Sequence, residues 1–217
     1  FEIAWEKTPP TAWEKNERWY QATRAQVIEI LECFISDEAA YRERSQVDLL
    51  YSEKEVEFSL AGLPLRGRID RIDDHEDGLV VIDYKTGGGH SGGQKTLESG
   101  KDFQLGLYAL AAREVFQKEV ITAQYVHLDP KKINRNSGFL FSHWNKGKKA
   151  DEVKRPISTA RSNSNSLFTE EPEQIWLPLK AKAENIAQSI LAGEFSAKPA
   201  DPLDCARCRF PGVCGEN

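Results

Sequence analysis

The chain has 217 residues, of which 40% are hydrophobic and 29% charged, and a formal net charge of −5. The length suits one large domain with a sizeable core, and the composition is ordinary for a globular protein. We find no apolar run of membrane-spanning length and no signal peptide, so we expect a cytoplasmic protein that does not bind membranes. The acidic balance excludes a generally basic nucleic-acid binder but leaves room for a local DNA site. The absence of methionine indicates a fragment or a processed chain.

The N-terminal part of the chain predicts helix. Apolar side chains recur at helical spacing between about residues 12 and 34. The polar stretch 35–52 is expected to begin with a second helical piece. Together these features predict an N-terminal helical segment over residues 1–52.

The next stretch predicts three strands joined by tight turns. Residues 56–60 alternate between apolar and polar, 65–72 suit the returning strand, and the apolar run 79–84 is typical of a central strand. Turns are predicted at 61–64 and at 73–78, which ends in Asp-Gly. We therefore expect a meander of three strands.

The remaining chain predicts helices and strands separated by polar loops. Periodicity predicts a helix over 103–117, strands over 121–128 and 138–143, and a helix over 175–191. Loops are expected over 86–100 and 145–170. The second loop carries a basic run that is equally typical of a DNA-backbone contact and of a solvated surface: Lys146, Lys148, Lys149, Lys154, Arg155 and Arg161.

Two carboxylates and an ammonium group are predicted to meet at the end of the central strand. Because side chains alternate on a strand, Asp83 and Lys85 share one face and Tyr84 points to the other. If the two strands pair across the predicted turn, Asp70 and Asp83 converge. Carboxylate oxygens suit Mg²⁺ or Mn²⁺, which can activate a phosphodiester and water for hydrolysis, while Lys85 could position that water. The alternative is an ordinary surface Asp–Lys pair.

Strict alternation makes a further prediction for the preceding strand. It places Asp70 on the same face as Ile72 and places Ile69 and Arg71 together on the opposite face. On the helix that follows, Gln104 lies four residues before a tyrosine, Tyr108. Their polar groups could reach the metal site or a DNA phosphate, or they could belong to a partly buried helix with no catalytic role.

The ordered motifs resemble the RecB-like branch of the PD-(D/E)xK nuclease superfamily. They are Gly67-Arg68-Ile69-Asp70, then Asp83-Tyr84-Lys85-Thr86-Gly87, then Gln104 to Tyr108. The chain looks most similar to the C-terminal nuclease domains of helicase–nuclease subunits of the AddB and AdnB kind, over about three quarters of its length. The resemblance implies an α/β, restriction-endonuclease-like fold, with a mixed central sheet flanked by helices forming a core over 53–195.

The resemblance also implies roles for individual residues. The implied catalytic residues are Asp70, Asp83, Lys85, Gln104 and Tyr108, and the implied metal contacts are Asp70, Asp83, the backbone carbonyl of Tyr84 and, less securely, Glu55. Many relatives carry a further metal-binding histidine on an upstream helix. This chain has no histidine before His75. We assign no catalytic role to the histidines at 75, 90, 127 and 143.

A cysteine-rich tail, residues 196–217, is expected to bind a metal and to pack on the same domain. It carries Cys205, Cys208 and Cys214, whose spacing suits thiolate ligands. The resemblance implies a [4Fe–4S] cluster with a fourth cysteine from upstream, and structural Zn²⁺ is the alternative. Cys33 is the remaining cysteine, and its apolar helical surroundings favour a buried thiol.

Taken together, the sequence predicts a metal-dependent DNA nuclease, most similar to an exonuclease of a DNA repair and recombination machine. Its expected partners are DNA and a helicase domain or subunit. The competing hypothesis is a catalytically inactive, nuclease-like module that binds DNA and docks onto such a machine.

Overall fold

A six-stranded mixed sheet organises the part of the chain that the computed structural model describes, which is residues 17–87, 103–141, 166–169, 172–195 and 205–206. The helices are α1 (Glu17–Ser45), α2 (Gln104–Phe116) and α3 (Glu173–Leu191). The strands are β1 (Asp48–Leu60), β2 (Leu63–His75), β3 (Gly78–Lys85), β4 (Val120–His127), β5 (Asn134–Phe141) and β6 (Ser166–Thr169).

The strands lie in the sheet in the order in which they occur in the chain. The first three are antiparallel neighbours, which confirms the predicted meander. The β3–β4 and β5–β6 pairs are parallel, whereas β4 and β5 are antiparallel. The helix α2 makes the crossover between β3 and β4, as a parallel pair requires. This mixed sheet flanked by helices confirms the predicted α/β architecture.

Each face of the sheet has its own hydrophobic core. The residues Leu79 and Val81 of β3 pack under α2 and α3, on what we call the α2 face. The intervening Val80 and Ile82 pack with Tyr41 of α1, on what we call the α1 face. Burial on both faces explains why this strand is an uninterrupted apolar run in the sequence.

The β2–β3 turn depends on glycine at position 78. Gly78 has φ of 153°, and a Cβ at this position would lie 2.5 Å from the carbonyl oxygen of Glu119. That carbonyl accepts a hydrogen bond from the N–H of Leu79 at 2.7 Å, which ties the turn to the start of β4. The close approach therefore sets the register of β3 against β4.

Three boundaries differ from the sequence-based predictions. The helix α1 continues without a break to Ser45, so the expected second helical piece is part of the first. The strand β1 already begins at Asp48, within the segment that was predicted to be helical. Residues 166–169 form an edge strand in a stretch that was predicted to be loop. No helix in the described residues is long and apolar enough to cross a membrane.

Candidate active site

A line of polar contacts begins at the carboxyl end of β3. Asp83 is 2% exposed, and its Oδ2 lies 2.7 Å from Nζ of Lys85. The same ammonium donates to Oε1 of Gln104 at 2.8 Å, and the Gln104 amide donates to the hydroxyl of Tyr108 at 3.0 Å. The structure therefore brings four of the predicted site residues together on the α2 face.

The backbone of β2 leaves room for the last member of this line. A Cβ at Gly67 would lie 3.4 Å from Cε1 of Tyr108, so the glycine allows the aromatic ring to lie against the strand. This distance corresponds to ordinary van der Waals contact between the strand and the ring. The ring of Tyr108 therefore lies close to the backbone of β2 at Gly67.

Tyr125 supports the site from β4, although no motif of the sequence marks this residue. Its ring is fully buried, and its centroid lies 5.3 Å from the Lys85 ammonium. Its hydroxyl accepts a hydrogen bond from the N–H of Leu105 at 3.3 Å, in the first turn of α2. One side chain therefore contacts both the lysine and the helix that carries Gln104. Tyr125 lies opposite Asp83 in the β3–β4 register, and this pairing would identify it as a site residue. The pairing cannot be derived from a single sequence.

Asp70 accepts a hydrogen bond from the backbone of β3 between Asp83 and Lys85. The β2–β3 ladder ends where Arg71 lies opposite Ile82. Beyond that point, the N–H of Tyr84 donates to Oδ2 of Asp70 at 2.9 Å. The aspartate therefore binds the residue between Asp83 and Lys85, which brings the fifth predicted catalytic residue to the same strand end.

Side-chain alternation on β2 shifts by one residue at this level. Ile69 and Ile72 both pack in the core of the α2 face, although they are three residues apart. Arg71 reaches Glu38 on the α1 face instead. The prediction that Ile69 and Arg71 share a face is therefore wrong.

The shift has a structural counterpart on the neighbouring strand. Glu53 of β1 has φ of 49°, and it lies between the register pairs Ser52–Arg71 and Lys54–Ile69. The strand β1 thus leaves regular extended geometry opposite Asp70, while the register shift of the β1–β2 pair lies between Leu49 and Tyr51. Such irregularities are common beside active sites, where they redirect a side chain.

The donor atoms at this strand end fit a hard divalent cation. Asp70 and Asp83 offer carboxylate oxygens, which Mg²⁺ and Mn²⁺ prefer. The formal charges of Asp70, Asp83 and Lys85 sum to −1, which suits a bound cation. Burial of Asp83 makes that charge costly unless a cation or a hydrogen bond compensates for it. The residues therefore fit a metal by their chemistry, their burial and their charge.

Glu55 lies elsewhere. Its carboxylate binds Arg66 at 2.7 Å, and both side chains are mostly exposed. The adjacent Val56 packs in the core of the α2 face, so Glu55 points to the opposite side of the β1–β2 ribbon. The hydrogen bond from Arg66 holds the pKa of Glu55 below its usual value.

A second acidic group lies at the far end of the β2–β3 hairpin. Ligand atoms of His75, Glu76 and Asp77 lie within 4.8 Å of one another, which could hold a metal ion. However, Nδ1 of His75 already accepts a hydrogen bond from the backbone N–H of Asp77 at 3.0 Å. This hydrogen bond stabilises the hairpin turn, which accounts for the proximity of the three side chains without a metal ion.

A buried ionic network lies on the α1 face, directly behind the site. Arg71 forms two hydrogen bonds with Asp73, at 2.6 and 2.8 Å, and an ion pair with Glu38 at 2.7 Å. Arg71 and Asp73 thus form a buried salt bridge within β2. Glu38 also binds Arg135 of β5 at 3.0 Å, and Tyr41 donates to Asp73 at 3.3 Å.

Burial and ion pairing act in opposition in this network. Burial disfavours the charge on Arg71, but its hydrogen bonds to Asp73 and Glu38 outweigh burial and raise the pKa of the guanidinium. Burial also raises the pKa of the Glu38 carboxyl, but its contacts with Arg71 and Arg42 outweigh this and lower the pKa overall. For Tyr84, burial raises the pKa, which keeps the phenol neutral.

The cysteines are only partly described. Cys33 is a free thiol of α1 that packs beside the core of the α1 face, but it is half-buried, whereas its sequence context predicted a buried thiol. Cys205 is a free and exposed thiol. Cys208 and Cys214 lie outside the described residues, as do the predicted basic run and most of the glycine-rich loop.

The mixed sheet and the carboxylates at the end of β3 are typical of α/β proteins that bind a divalent metal ion. A comparison with protein-family models assigns the family: the PD-(D/E)XK nuclease superfamily matches residues 2–215. The chain therefore belongs to this superfamily, whose members are typically phosphodiester hydrolases that use divalent metals such as Mg²⁺. A comparison with curated proteins gave no significant match.

Proposed function

We propose that this chain is a metal-dependent DNA nuclease whose active site is the carboxyl end of β3. The observation that carries the proposal is the position of Lys85, which binds both Asp83 and Gln104 while Asp70 binds the intervening backbone. Acidic oxygens and one ammonium group, meeting beside a helix N-terminus, suit a phosphodiester and a divalent cation. The proposed metal ligands are Asp70, Asp83 and the carbonyl of Tyr84.

The proposed roles follow from the contacts of each side chain. A bound Mg²⁺ or Mn²⁺ supplies Lewis-acid activation of the phosphate and of water. Lys85 is proposed to orient the attacking water and to offset negative charge that develops on the phosphate. Gln104 holds the ammonium in place through its Oε1, and Tyr108 fixes the Gln104 amide. Glu55 is not needed in this arrangement, because it binds Arg66.

Finer aspects of the proposal rest on the resemblance of the motifs. We propose DNA as the substrate, an exonuclease mode of action, and a place in a repair or recombination machine of the helicase–nuclease type, with a helicase domain or subunit as partner. The resemblance of this chain's motifs to those of AddB- and AdnB-like subunits supports this assignment. The competing hypothesis is a docking module that binds DNA without cutting it.

The cysteine tail is proposed to hold a [4Fe–4S] cluster. Support comes from the spacing of Cys205, Cys208 and Cys214 and from the exposure of the Cys205 thiol. Iron content and visible absorbance of protein prepared without oxygen distinguish this cluster from structural zinc, which would give neither signal.

Metal removal tests the proposed function. The chain is incubated with linear single-stranded and duplex DNA in Mg²⁺ or Mn²⁺, with and without excess EDTA. We expect cleavage that EDTA abolishes and that added metal restores, because the activation of phosphate and water depends on the cation. DNA binding without cleavage under either metal would contradict the proposal and support the docking module.

A further inference from the structure

Tyr84 is held at both of its ends by two consecutive residues of β2. Its backbone N–H donates to Oδ2 of Asp70 at 2.9 Å. Its hydroxyl accepts a hydrogen bond from Nη1 of Arg71 at 3.1 Å, on the opposite face of the sheet. These contacts lie just past the last register pair of the β2–β3 ladder. At the level of the site, hydrogen bonds between Tyr84 and the side chains of Asp70 and Arg71 therefore take the place of backbone pairing between β2 and β3.

The guanidinium of Arg71 is itself held firmly. Its Nε and Nη2 bind Asp73, Nη2 also binds Glu38, and Nη1 remains for Tyr84. The Arg71 side chain is 7% exposed and that of Asp73 fully buried. The planar fork of arginine can satisfy these partners together, which the single ammonium of lysine could not do in the same geometry.

Aromatic packing limits the freedom of the tyrosine ring. Phe34 of α1 meets Tyr84 edge-on, with ring centroids 5.6 Å apart and an interplanar angle of 82°. The hydrogen bond from Arg71 then fixes the far end of the ring. A side chain that is fixed at its far end resists displacement of the adjoining backbone, and this restraint favours a constant spacing between Asp83 and Asp70.

Stability alone does not explain an ionic network in this place. Buried ion pairs often contribute no more than apolar residues of the same volume would, because desolvation offsets their attraction. Partners behind a metal site, in contrast, commonly orient its ligands. The network on the α1 face joins α1, β2, β3 and β5 directly behind the proposed ligands.

We propose that Arg71 is a positioning residue that aligns the Asp83–Lys85 motif with Asp70 by binding the Tyr84 hydroxyl. This inference rests on the proposed function, since the aligned groups are the proposed metal ligands. The role is indirect: the guanidinium touches neither metal nor DNA, and it acts through the backbone of Tyr84.

The test compares two tyrosine-to-phenylalanine variants. Tyr84→Phe removes the hydroxyl that Arg71 binds and leaves the packing on Phe34 in place. Tyr41→Phe is the matched control, because it removes a hydroxyl from the same network that binds Asp73 instead. Variants of Arg71 itself would also remove its ion pairs with Asp73 and Glu38, so this comparison does not use them. Mn²⁺ affinity is measured by electron paramagnetic resonance, and exchange of the residue-84 amide hydrogen by NMR.

We expect Tyr84→Phe to weaken Mn²⁺ binding about 10-fold, the scale seen when a partner of a metal ligand is lost. Exchange of the residue-84 amide should quicken relative to the other β3 amides, and kcat should fall while KM for DNA stays constant. Tyr41→Phe should leave these properties within about twofold of the wild type after correction for stability.

The outcomes separate this inference from the proposed function. Suppose that the wild type binds Mn²⁺, that Tyr84→Phe binds it equally well, and that the residue-84 amide of this variant exchanges at the wild-type rate. This result would overturn the positioning role but not the proposed function. Equal effects of the two variants would also overturn it and would assign the network a purely structural role. A wild type that binds no Mn²⁺ would contradict the proposed function, and the positioning role with it.

Discussion

Replacing Lys85 by alanine is expected to lower kcat for DNA cleavage by about 10²- to 10³-fold, because one donor that stabilises transition-state charge is lost. This corresponds to about 2.7–4 kcal/mol of transition-state stabilisation. The ammonium lies 2.7 Å from Asp83, so its removal also takes a competing cation away from that carboxylate. Apparent affinity for Mg²⁺ should therefore be retained or strengthened while kcat falls.

Single-turnover cleavage of linear DNA, measured over a range of Mg²⁺ concentrations, gives both quantities. Lys118→Ala is a suitable control, because Lys118 pairs with Asp74 near the other end of the β2–β3 hairpin. It should cleave at nearly the wild-type rate. If Lys85→Ala cleaved within about threefold of the wild type, the lysine would have no catalytic role.

Replacing Arg71 by methionine is expected to give the largest loss of stability. The change leaves Asp73, which is fully buried, and Glu38, whose side chain is 15% exposed, without their shared partner. Breaking a buried ion pair by removing one partner typically costs about 3–5 kcal/mol. Urea unfolding followed by circular dichroism measures the change as a lower midpoint at nearly constant slope.

Arg68→Met provides the control for this measurement. Arg68 belongs to the same strand and pairs with Glu53, but both side chains are largely exposed. Exposed ion pairs contribute little, so the midpoint should shift only slightly. Equal midpoint shifts for the two variants would show that the buried network contributes no more than a surface pair.

The chemistry of β3 could be predicted because it depends on local rules. An apolar run bounded by turn residues indicates a buried strand, and alternation then places Asp83 and Lys85 on one face. The four-residue spacing of Gln104 and Tyr108 likewise follows from helix geometry. The structure confirms both expectations through the contacts that join these side chains.

The geometry of β2 could not be predicted in the same way. Alternation fails at Asp70: Ile69 and Ile72 pack in the same core, and the neighbouring strand β1 departs from extended geometry at Glu53. The roles of Arg71 and Tyr125 depend on which strands pair and in which register. A single sequence does not contain that information, because the partners of Arg71 include Glu38, which precedes it by 33 positions and lies on a helix.

The length of α1 was underestimated for a related reason. The stretch after Ile35 is rich in polar residues, and a polar stretch without an apolar stripe predicts the end of a buried helix. In the structure, polar side chains of this stretch serve the fold directly: Asp37 and Glu38 bind Arg135 at 2.7 and 3.0 Å. The helix continues because ion pairs, together with Tyr41, attach it to the sheet.

A crystal of the chain soaked in Mn²⁺ and measured at the manganese absorption edge tests the metal site most directly. We expect an anomalous peak with carboxylate oxygens of Asp70 and Asp83 about 2.1 Å away. The peak should vanish in Asp83→Asn and persist in Asp74→Asn. A peak only at the His75–Asp77 turn, or none near Asp83 at saturating Mn²⁺, would contradict catalysis at the end of β3.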